Sequence, residues 1–251
     1  MPDVDTPRKI ALVTGGGTGI GKATALRLAA TGAHVIITGR RAAALDTAVA
    51  EIEANGLSAQ AIVNDVTDLD AVADLHGRIL AEHGRLDIAF NNAGYRETRA
   101  DLCDQTFDTY ARVFDTNVRG ILACLHHQIA AMRAQGAGAI VVNASVSGMR
   151  NPNPGFALYS ASKAAVISMA RSAAMEEAQH GVRINVVAPG RVVTDMIMEP
   201  GIDLDAVAAT LPLRRMGTPE EVAEAVHWLT SDAAAYVVGH VLCVDGGFMA
   251  S

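Results

Sequence analysis

Short apolar runs rich in Val, Ile and Ala alternate along the chain with longer segments in which apolar residues recur at helical spacing. A strand buried on both faces is apolar throughout, whereas a helix packed against a sheet is apolar at every third or fourth position. The alternation therefore predicts βα units around a parallel sheet. The predicted strands are Lys9–Thr14, His34–Thr38, Ala59–Val63, Leu86–Phe90, Ala139–Asn143, Arg183–Val187 and Val241–Val244.

Helical spacing fills several of the intervals between these strands. Asp68 and Thr218 are suitable N-caps, and Pro219 suits the first position of a helix. No linker rich in Pro, Gly or Ser interrupts the pattern, so we predict one α/β domain over residues 9–251, a doubly wound parallel sheet behind a flexible tail at 1–8. The clearest helical segments are Ile20–Ala30, Leu69–Glu82, Phe107–Ala134, Tyr159–Gln179 and Pro219–Thr230.

Composition excludes several classes of protein. Of the 251 residues, 50% are hydrophobic and 19% charged, which supports a sizeable core and excludes global disorder. The net charge of −7 argues against nucleic-acid binding, and no apolar run is long enough for a membrane span or a secretory signal. Three widely spaced cysteines fit neither a disulfide framework nor a zinc cluster, so we expect a soluble protein in a reducing cytoplasm.

The first predicted strand runs into a glycine-rich segment, TGGGTGIG at 14–21, and then into a helix. Glycines allow a tight turn and close backbone approach, and the helix N-terminus offers N–H groups to a diphosphate. The spacing differs from G-x-G-x-x-G, so the run alone could be only a loop. Further candidate residues follow the carboxyl ends of the other predicted strands, the edge where a parallel sheet forms its ligand crevice. They are Gly39 and Arg40, Asp65, Asn91, Ser145 and Pro189.

Taken in order over nearly the whole chain, these motifs resemble the short-chain dehydrogenase/reductase family. Each motif is weak alone, but the set is specific. The resemblance implies a Rossmann-type fold of about seven strands and hydride transfer between NAD(P) and a carbonyl or secondary alcohol. The matching segments are TGGGTGIG, Asn64-Asp65-Val66, Asn91-Asn92-Ala93-Gly94, Asn117, Ser145, YSASK at 159–163, Pro189-Gly190 and Val244-Asp245-Gly246-Gly247.

The resemblance also implies which residues hold the cofactor. Asp65 would accept from the adenine amino group, although a single Asp could equally be a loop acid. For Asn91 the alternative is a purely structural role, tying strands together. The expected set is Gly15, Gly17, Thr18, Gly19, Ile20, Gly21, Arg40, Arg41, Asp65, Val66, Asn92, Ala93, Gly94, Tyr159, Lys163, Pro189, Gly190, Val192 and Thr194.

The choice of coenzyme depends on charge after the second predicted strand. A carboxylate there would bind a ribose 2′-hydroxyl and repel a 2′-phosphate. The sequence instead reads Thr38-Gly39-Arg40-Arg41, and guanidinium groups suit a phosphate. NADP(H) is favoured, but NAD(H) stays possible, because the arginines could be solvated and many NADPH-using relatives carry a basic residue where this loop has Thr18.

Tyr159 and Lys163 lie four apart in a helical segment and so project from one face. A phenol with a pKa of about 10 is a poor base at neutral pH. An ammonium at about 4 Å would contribute about 4 kcal/mol at an effective dielectric near 20, so we predict that Lys163 lowers the pKa of Tyr159. Ser145, preferred over Ser147 from the family pattern, would donate to the substrate oxygen.

The resemblance makes Asn117 the residue that distorts the long helix and holds a water near Lys163. It also shows one extra residue between Ser145 and Tyr159, around 150–153. No metal is expected, because adjacent His126 and His127 point about 100° apart on a helix.

The sequence favours an NADPH-dependent ketone reductase. The alternatives are an NAD-dependent alcohol, sugar or hydroxysteroid dehydrogenase and, from another class, a non-catalytic dinucleotide-binding sensor or scaffold. Residues 194–218 are either a short substrate lid with Met and Ile side chains or a segment packed on the domain. The acidic helix end at 175–180 disfavours an acyl carrier protein as partner. The resemblance implies a homotetramer, with one interface through the long helix after Asp104 and the Tyr159 helix and another through the C-terminal Val-Asp-Gly-Gly segment.

Overall fold

A computed structural model describes residues 8–150, 154–197 and 203–251. All predicted strands are present and pair in parallel, in the order β3-β2-β1-β4-β5-β6-β7. The predicted fold class is thus confirmed. The strands are β1 Ile10–Thr14, β2 His34–Gly39, β3 Ser58–Val63, β4 Ile88–Asn91, β5 Gly138–Asn143, β6 Val182–Pro189 and β7 Val241–Val244.

Helices cover both faces of the sheet and enclose two apolar layers. Leu12 and Ile140 belong to one layer, and Val13 and Val141 to the other, because successive side chains of a strand point to opposite faces. The helices are α1 Gly19–Ala29, α2 Ala42–Ala54, α3 Leu69–His83, α4 Phe107–Phe114, α5 Gly120–Gln135, α6 Ala157–Glu177, α7 Leu204–Ala209 and α8 Pro219–Thr230.

The predicted helix starts at Asp68 and Thr218 are confirmed. The Asp68 side chain accepts from the backbone N–H of Ala71, and Thr218 forms a reciprocal capping box with Glu221. The predicted helix Phe107–Ala134 is not continuous, because a π-helical turn at Asp115–Arg119 separates α4 from α5. Helix α2 was not among the predicted segments.

The strand order reverses between β1 and β4. Chain crossovers run outward in both directions from this point, which leaves a crevice at the carboxyl ends of the two strands. The residues predicted to bind or react follow these ends. No helix in the described ranges is long and apolar enough to cross a bilayer. The predicted tail, apart from Arg8, lies outside the described residues, as do 151–153 of the extra-residue loop and 198–202 of the predicted lid.

Candidate active site

A cleft of about 360 Å³ runs along the carboxyl edge of the sheet across the β1/β4 crossover point. Almost every predicted site residue borders it. Gly21 and Asn117 do not border it, and each contacts residues that do: Gly21 packs against Gly15, and Asn117 bonds to the backbone next to Gly94. The predicted residues that border the cleft are Gly15, Gly17, Thr18, Gly19, Ile20, Arg40, Arg41, Asp65, Val66, Asn92, Ala93, Gly94, Ser145, Tyr159, Lys163, Pro189, Gly190, Val192 and Thr194.

The glycine-rich loop places the start of α1 against this cleft. Gly15 and Gly19 have φ values of +66° and +52°, which only glycine adopts readily. A Cβ on Gly21 would lie 2.1 Å from the Gly15 carbonyl oxygen, so Gly21 serves loop packing rather than the cleft surface. The N-cap Thr18 makes no side-chain cap, and the first turn of α1 has no acid. Backbone N–H groups at this helix start therefore remain available to an anion.

Two arginines and one carboxylate border the end of the cleft beyond β2. The guanidinium of Arg41 donates to the Thr18 hydroxyl at 3.4 Å, and that of Arg40 lies 3.9 Å from the Asp65 carboxylate. Asp65 Oδ1 also accepts from the backbone and hydroxyl of Thr67, at 3.0 and 2.9 Å. Asp65 thus stabilises its own loop and also borders the cleft, so its position is compatible both with a purely local role and with binding an adenine amino group.

The strip after β4, residues 92–94 (the Asn92 strip), is held in place by hydrogen bonds to β1. The Thr14 hydroxyl accepts from the backbone N–H groups of Asn92 and Ala93, at 2.9 and 3.0 Å. The Asn92 amide donates to the carbonyls of Thr14 and Gly15. Asn91 is the last residue of β4 and exchanges two hydrogen bonds with Gln128 of α5, so it ties a strand to a helix and points away from the cleft.

Helix α6 carries Tyr159, which is half-buried, and Lys163, which is buried, into the centre of the cleft. The Lys163 ammonium donates to the Asn143 carbonyl at 2.7 Å and lies 5.7 Å from the centroid of the Tyr159 ring. Burial lowers the pKa of Lys163 to about 8. It also raises the pKa of Tyr159 above its ordinary value, outweighing the opposing effects of a hydrogen bond to Ser145 and the charge of Arg96.

The predicted lowering of the Tyr159 pKa is therefore wrong for this arrangement. Desolvation of the phenolate has the largest effect and raises this pKa, while the hydrogen bond to Ser145 and the charge of Arg96 oppose it only in part. Tyr159 accordingly stays protonated across neutral pH.

Ser145 follows β5 and faces the same space as Tyr159. Its hydroxyl accepts from the backbone N–H of Ser147 at 3.1 Å and starts the short turn Val146–Gly148. Gly148 packs on α6, since a Cβ there would lie 2.7 Å from the Lys163 backbone. This close packing holds Ser145 beside the residues of α6.

Asn117 is fully buried in the π-helical turn between α4 and α5. Its Oδ1 accepts from the backbone N–H of Tyr95 at 2.7 Å, while its amide donates to the Tyr95 carbonyl and to the Ser162 hydroxyl. Ser162 in turn donates to the Tyr159 carbonyl. Asn117 thus connects the strip after β4 with the helix that carries Tyr159 and Lys163.

Two polar residues of the site were missed by the sequence patterns. Asn143, the last residue of β5, borders the cleft and donates to Asn92 at 2.8 Å. Glu97 is 1% exposed, and its Oε1 accepts from the backbone N–H of Tyr159 at 3.0 Å. The position of Asn143 at a strand end was an available signal, but nothing in the local sequence marks Glu97.

The end of the cleft beyond Ser145 is mainly apolar. Its side chains are Phe156, Met196, Ile197 and Phe248, with the guanidinium groups of Arg96 and Arg191 at the same end. Arg96 stacks on Phe156 and donates to the Met196 carbonyl. Within the predicted lid, Ile197 and Leu211 are buried and Met196 is exposed, so the described part combines cleft lining with packing on the domain.

The family model described as enoyl-(acyl carrier protein) reductase matches residues 15–249. A cis-4-hydroxycyclohexanecarboxylate dehydrogenase of Sinomonas cyclohexanicum is 42% identical over 96% of this chain and 97% of its own. The chain belongs to the short-chain dehydrogenase/reductase family. Other relatives are a 3-oxoacyl-[acyl-carrier-protein] reductase of Synechocystis, 41% identical over 96% and 97%, and an A-factor type gamma-butyrolactone 1'-reductase of Streptomyces virginiae, 38% identical over 96% and 95%.

Solved structures of the family superpose closely on this chain. Levodione reductase has a TM-score of 0.93 and is 33% identical, covering 97% of this chain and 98% of its own. An NAD+-bound xylitol dehydrogenase has 0.90 and 32%, covering 95% and 98%. A gluconate 5-dehydrogenase from Beutenbergia cavernae with bound NADP has 0.91 and 38%, covering 97% of each. This member of the family is thus an oxidoreductase acting on CH–OH or C=O groups with NAD(P), rather than a non-catalytic sensor.

Proposed function

We propose that this enzyme is an NADPH-preferring reductase of a compact cyclic ketone. The observation that carries the proposal is the cleft itself, with an arginine pair at one end, Ser145 and Tyr159 at its centre and a small apolar wall at the other end. A dinucleotide fits the glycine-rich loop at 14–21 in shape, and its diphosphate suits the N–H groups at the start of α1. The Asn92 strip adjoins both. When bound, that cofactor supplies the hydride.

The chain's own residues then orient the substrate and move a proton. Ser145 donates to the carbonyl oxygen and stabilises the negative charge that develops there. Tyr159, which is protonated at neutral pH, gives its phenolic proton to that oxygen. Lys163 would bind ribose hydroxyls, and Asn117 keeps α6 in register with the strip after β4.

The preference for NADPH is proposed from Arg40 and Arg41. Among the described residues, Asp65 is the only carboxylate bordering this end of the cleft, and its partners are Thr67 and Arg40. We expect the double variant of Arg40→Ala and Arg41→Ala to raise KM for NADPH by about tenfold or more, because a charge-assisted contact is worth about 1.5 to 3 kcal/mol. KM for NADH should change little.

Steady-state kinetics with both coenzymes tests this expectation. Lys22→Ala, on the outer side of α1 in an exposed pair with Glu51, is the matched control for lost positive charge. An unchanged NADPH-to-NADH ratio in the double variant would remove the coenzyme argument. A wild-type preference for NADH would favour the NAD-dependent dehydrogenase instead.

The proposed substrate class follows from the apolar end of the cleft. Relatives named for a cyclohexane and a lactone suggest a ring-bearing substrate, which Phe156, Ile197 and Phe248 would contact. A panel of cyclic ketones and open-chain ketones of the same carbon number should therefore show higher kcat/KM for the cyclic compounds, and a panel of cyclic ketones without turnover would exclude the class.

A small-molecule substrate is proposed in preference to an acyl carrier protein, although one relative is named for that carrier. At the end of α6, Glu177 is buried and paired with Arg133, whereas Glu176 is exposed and keeps a negative charge on this surface. Exposed Met175 lies beside it, so this end of the helix offers no basic surface to an acidic carrier. A cytoplasmic location stays a prediction.

A further inference from the structure

The segment that follows the Asn92 strip makes three successive contacts with different parts of the site. Tyr95 bonds through its backbone to Asn117. Arg96 lies over the Phe156 ring, 4.6 Å from its centroid, and Glu97 accepts from the Tyr159 backbone. This segment therefore touches both the support of α6 and its first turn.

Helix α6 needs an external cap at its N-terminus. Its N-cap residue, Phe156, has no side chain that can accept a hydrogen bond, and the first N–H groups of a helix have no partner within the helix. Glu97 supplies one, since its Oε1 lies 3.0 Å from the N–H of Tyr159, the third residue of the helix. A carboxylate at this end also interacts favourably with the helix dipole.

The second carboxylate oxygen of Glu97 is unusual. Oε2 is buried and has no hydrogen-bond partner among the residues that the structure describes. Leaving a buried carboxylate oxygen without a partner is costly, and the cap itself uses only Oε1. What the carboxylate adds to the cap is a negative charge at the first turn of α6.

We propose that Glu97 is a positioning residue for the reaction: it fixes the first turn of α6, which carries Tyr159, and places a negative charge at that turn. The other groups that bear on Tyr159 come from three places. Ser145 approaches from the β5 side and Lys163 from α6 itself. Arg96 adds a positive charge from the same segment as Glu97, and Arg191 is close enough to Arg96 to interact with it.

The sign of the effect follows from electrostatics. A negative charge disfavours the phenolate, so Glu97 adds to burial in raising the pKa of Tyr159, against the effect of Arg96. The charge therefore strengthens the hold of free Tyr159 on its proton. The proposal rests on the proposed function, because a donor in this position is what a reductase requires.

The decisive variant is Glu97→Gln. The Gln carbonyl can still accept from the Tyr159 N–H, so the cap is retained while the charge is lost. Ultraviolet titration of phenolate, taken as the difference from Tyr159→Phe, should show the Tyr159 pKa lower by about 0.5 unit or more. The alkaline limb of kcat for ketone reduction should move in the same direction.

Glu97→Asp is the matched control. It keeps the charge but is one methylene too short for the cap, so the Tyr159 pKa should stay close to the wild-type value while kcat falls with little change in KM for the coenzyme. An unchanged titration in Glu97→Gln, or an equal shift in both variants, would overturn the proposal. If Glu97→Gln does not fold, Glu97→Asp decides, because a lowered pKa in that variant contradicts the role of charge.

The role of Glu97 and the proposed reductase function can be tested separately, because the titration needs no substrate and no coenzyme. A shifted titration in a protein without turnover on any ketone would reject the proposed function and leave the electrostatic role of Glu97 standing.

Discussion

At the scale of single residues, the site places ionisable groups where their charged forms are unfavourable. Lys163 is 3% exposed and has a pKa of about 8 because of burial. Its hydrogen bond to the Asn143 carbonyl offsets part of that cost. A residue that weakens the fold in this way is retained for its chemistry, which is a common property of active sites.

Lys163→Met should therefore stabilise the protein while abolishing turnover. A pKa lowered from 10.5 to about 8 corresponds to about 3 kcal/mol of destabilisation, which the variant removes. The variant also loses the hydrogen bond to Asn143, which costs about 1 kcal/mol. We therefore expect the free energy of unfolding to rise by about 1 to 2 kcal/mol at pH 7. Between about pH 8 and 10.5 the unfolded wild-type chain binds more protons at this residue than the folded one. Wild-type stability relative to the variant should therefore rise with pH through that window.

Urea unfolding at neutral and alkaline pH measures the effect, with exposed Lys22→Met as the control. A difference between wild type and Lys163→Met that is independent of pH would contradict the assigned desolvation. The same would follow if Lys22→Met showed the same dependence.

At the scale of elements, strands were predicted better than helices and packing. Each predicted strand is present, because continuous apolar runs such as the one ending at Thr14 reflect burial on both faces. Helix α2 was missed because its sequence is rich in alanine and gives little contrast between faces. The end of β6 at Pro189, two residues beyond the prediction, depends on pairing with β7, which no local pattern records.

The site divides in the same way. Motif residues such as Tyr159 and Ser145 were found because their types and spacing carry the chemistry. Glu97 was not, since its role arises from a contact across 62 positions of the chain. The direction of the Tyr159 pKa shift was also missed, because spacing gives the distance between two groups on a helix but not their desolvation.

The π-helical turn between α4 and α5 holds Asn117, which links the strip after β4 to α6. Asn117→Leu keeps the side-chain volume but leaves the N–H and C=O of Tyr95 without their partner. We expect a loss of about 2 to 4 kcal/mol in the free energy of unfolding and a fall in kcat. Asp68→Ala, which removes only the cap of α3, should cost about 1 kcal/mol and leave kcat unchanged. Urea unfolding and turnover of both variants check this, and equal effects would refute the special role of the turn.

At the scale of the whole molecule, the sheet brings distant segments to one edge. Residues after β1, β4, β5 and β6 meet there because parallel strands end on the same side, so one cleft collects side chains from most of the chain. The outer surfaces of the helices are left for other contacts. Phe107 at the start of α4 is 92% exposed and Met175 near the end of α6 is 74% exposed.

The predicted homotetramer would use these helices, since the family resemblance implies one interface through the helix after Asp104 together with the Tyr159 helix. Large exposed apolar side chains on both helices favour burial against another copy, because removing apolar surface from water is favourable. We expect sedimentation equilibrium to give a tetramer for the wild type and a smaller species for Phe107→Glu. Leu80→Glu, on the outer face of α3 and 38% exposed, should remain tetrameric. A wild-type monomer would reject the assembly, and a Phe107→Glu tetramer would move the interface away from α4.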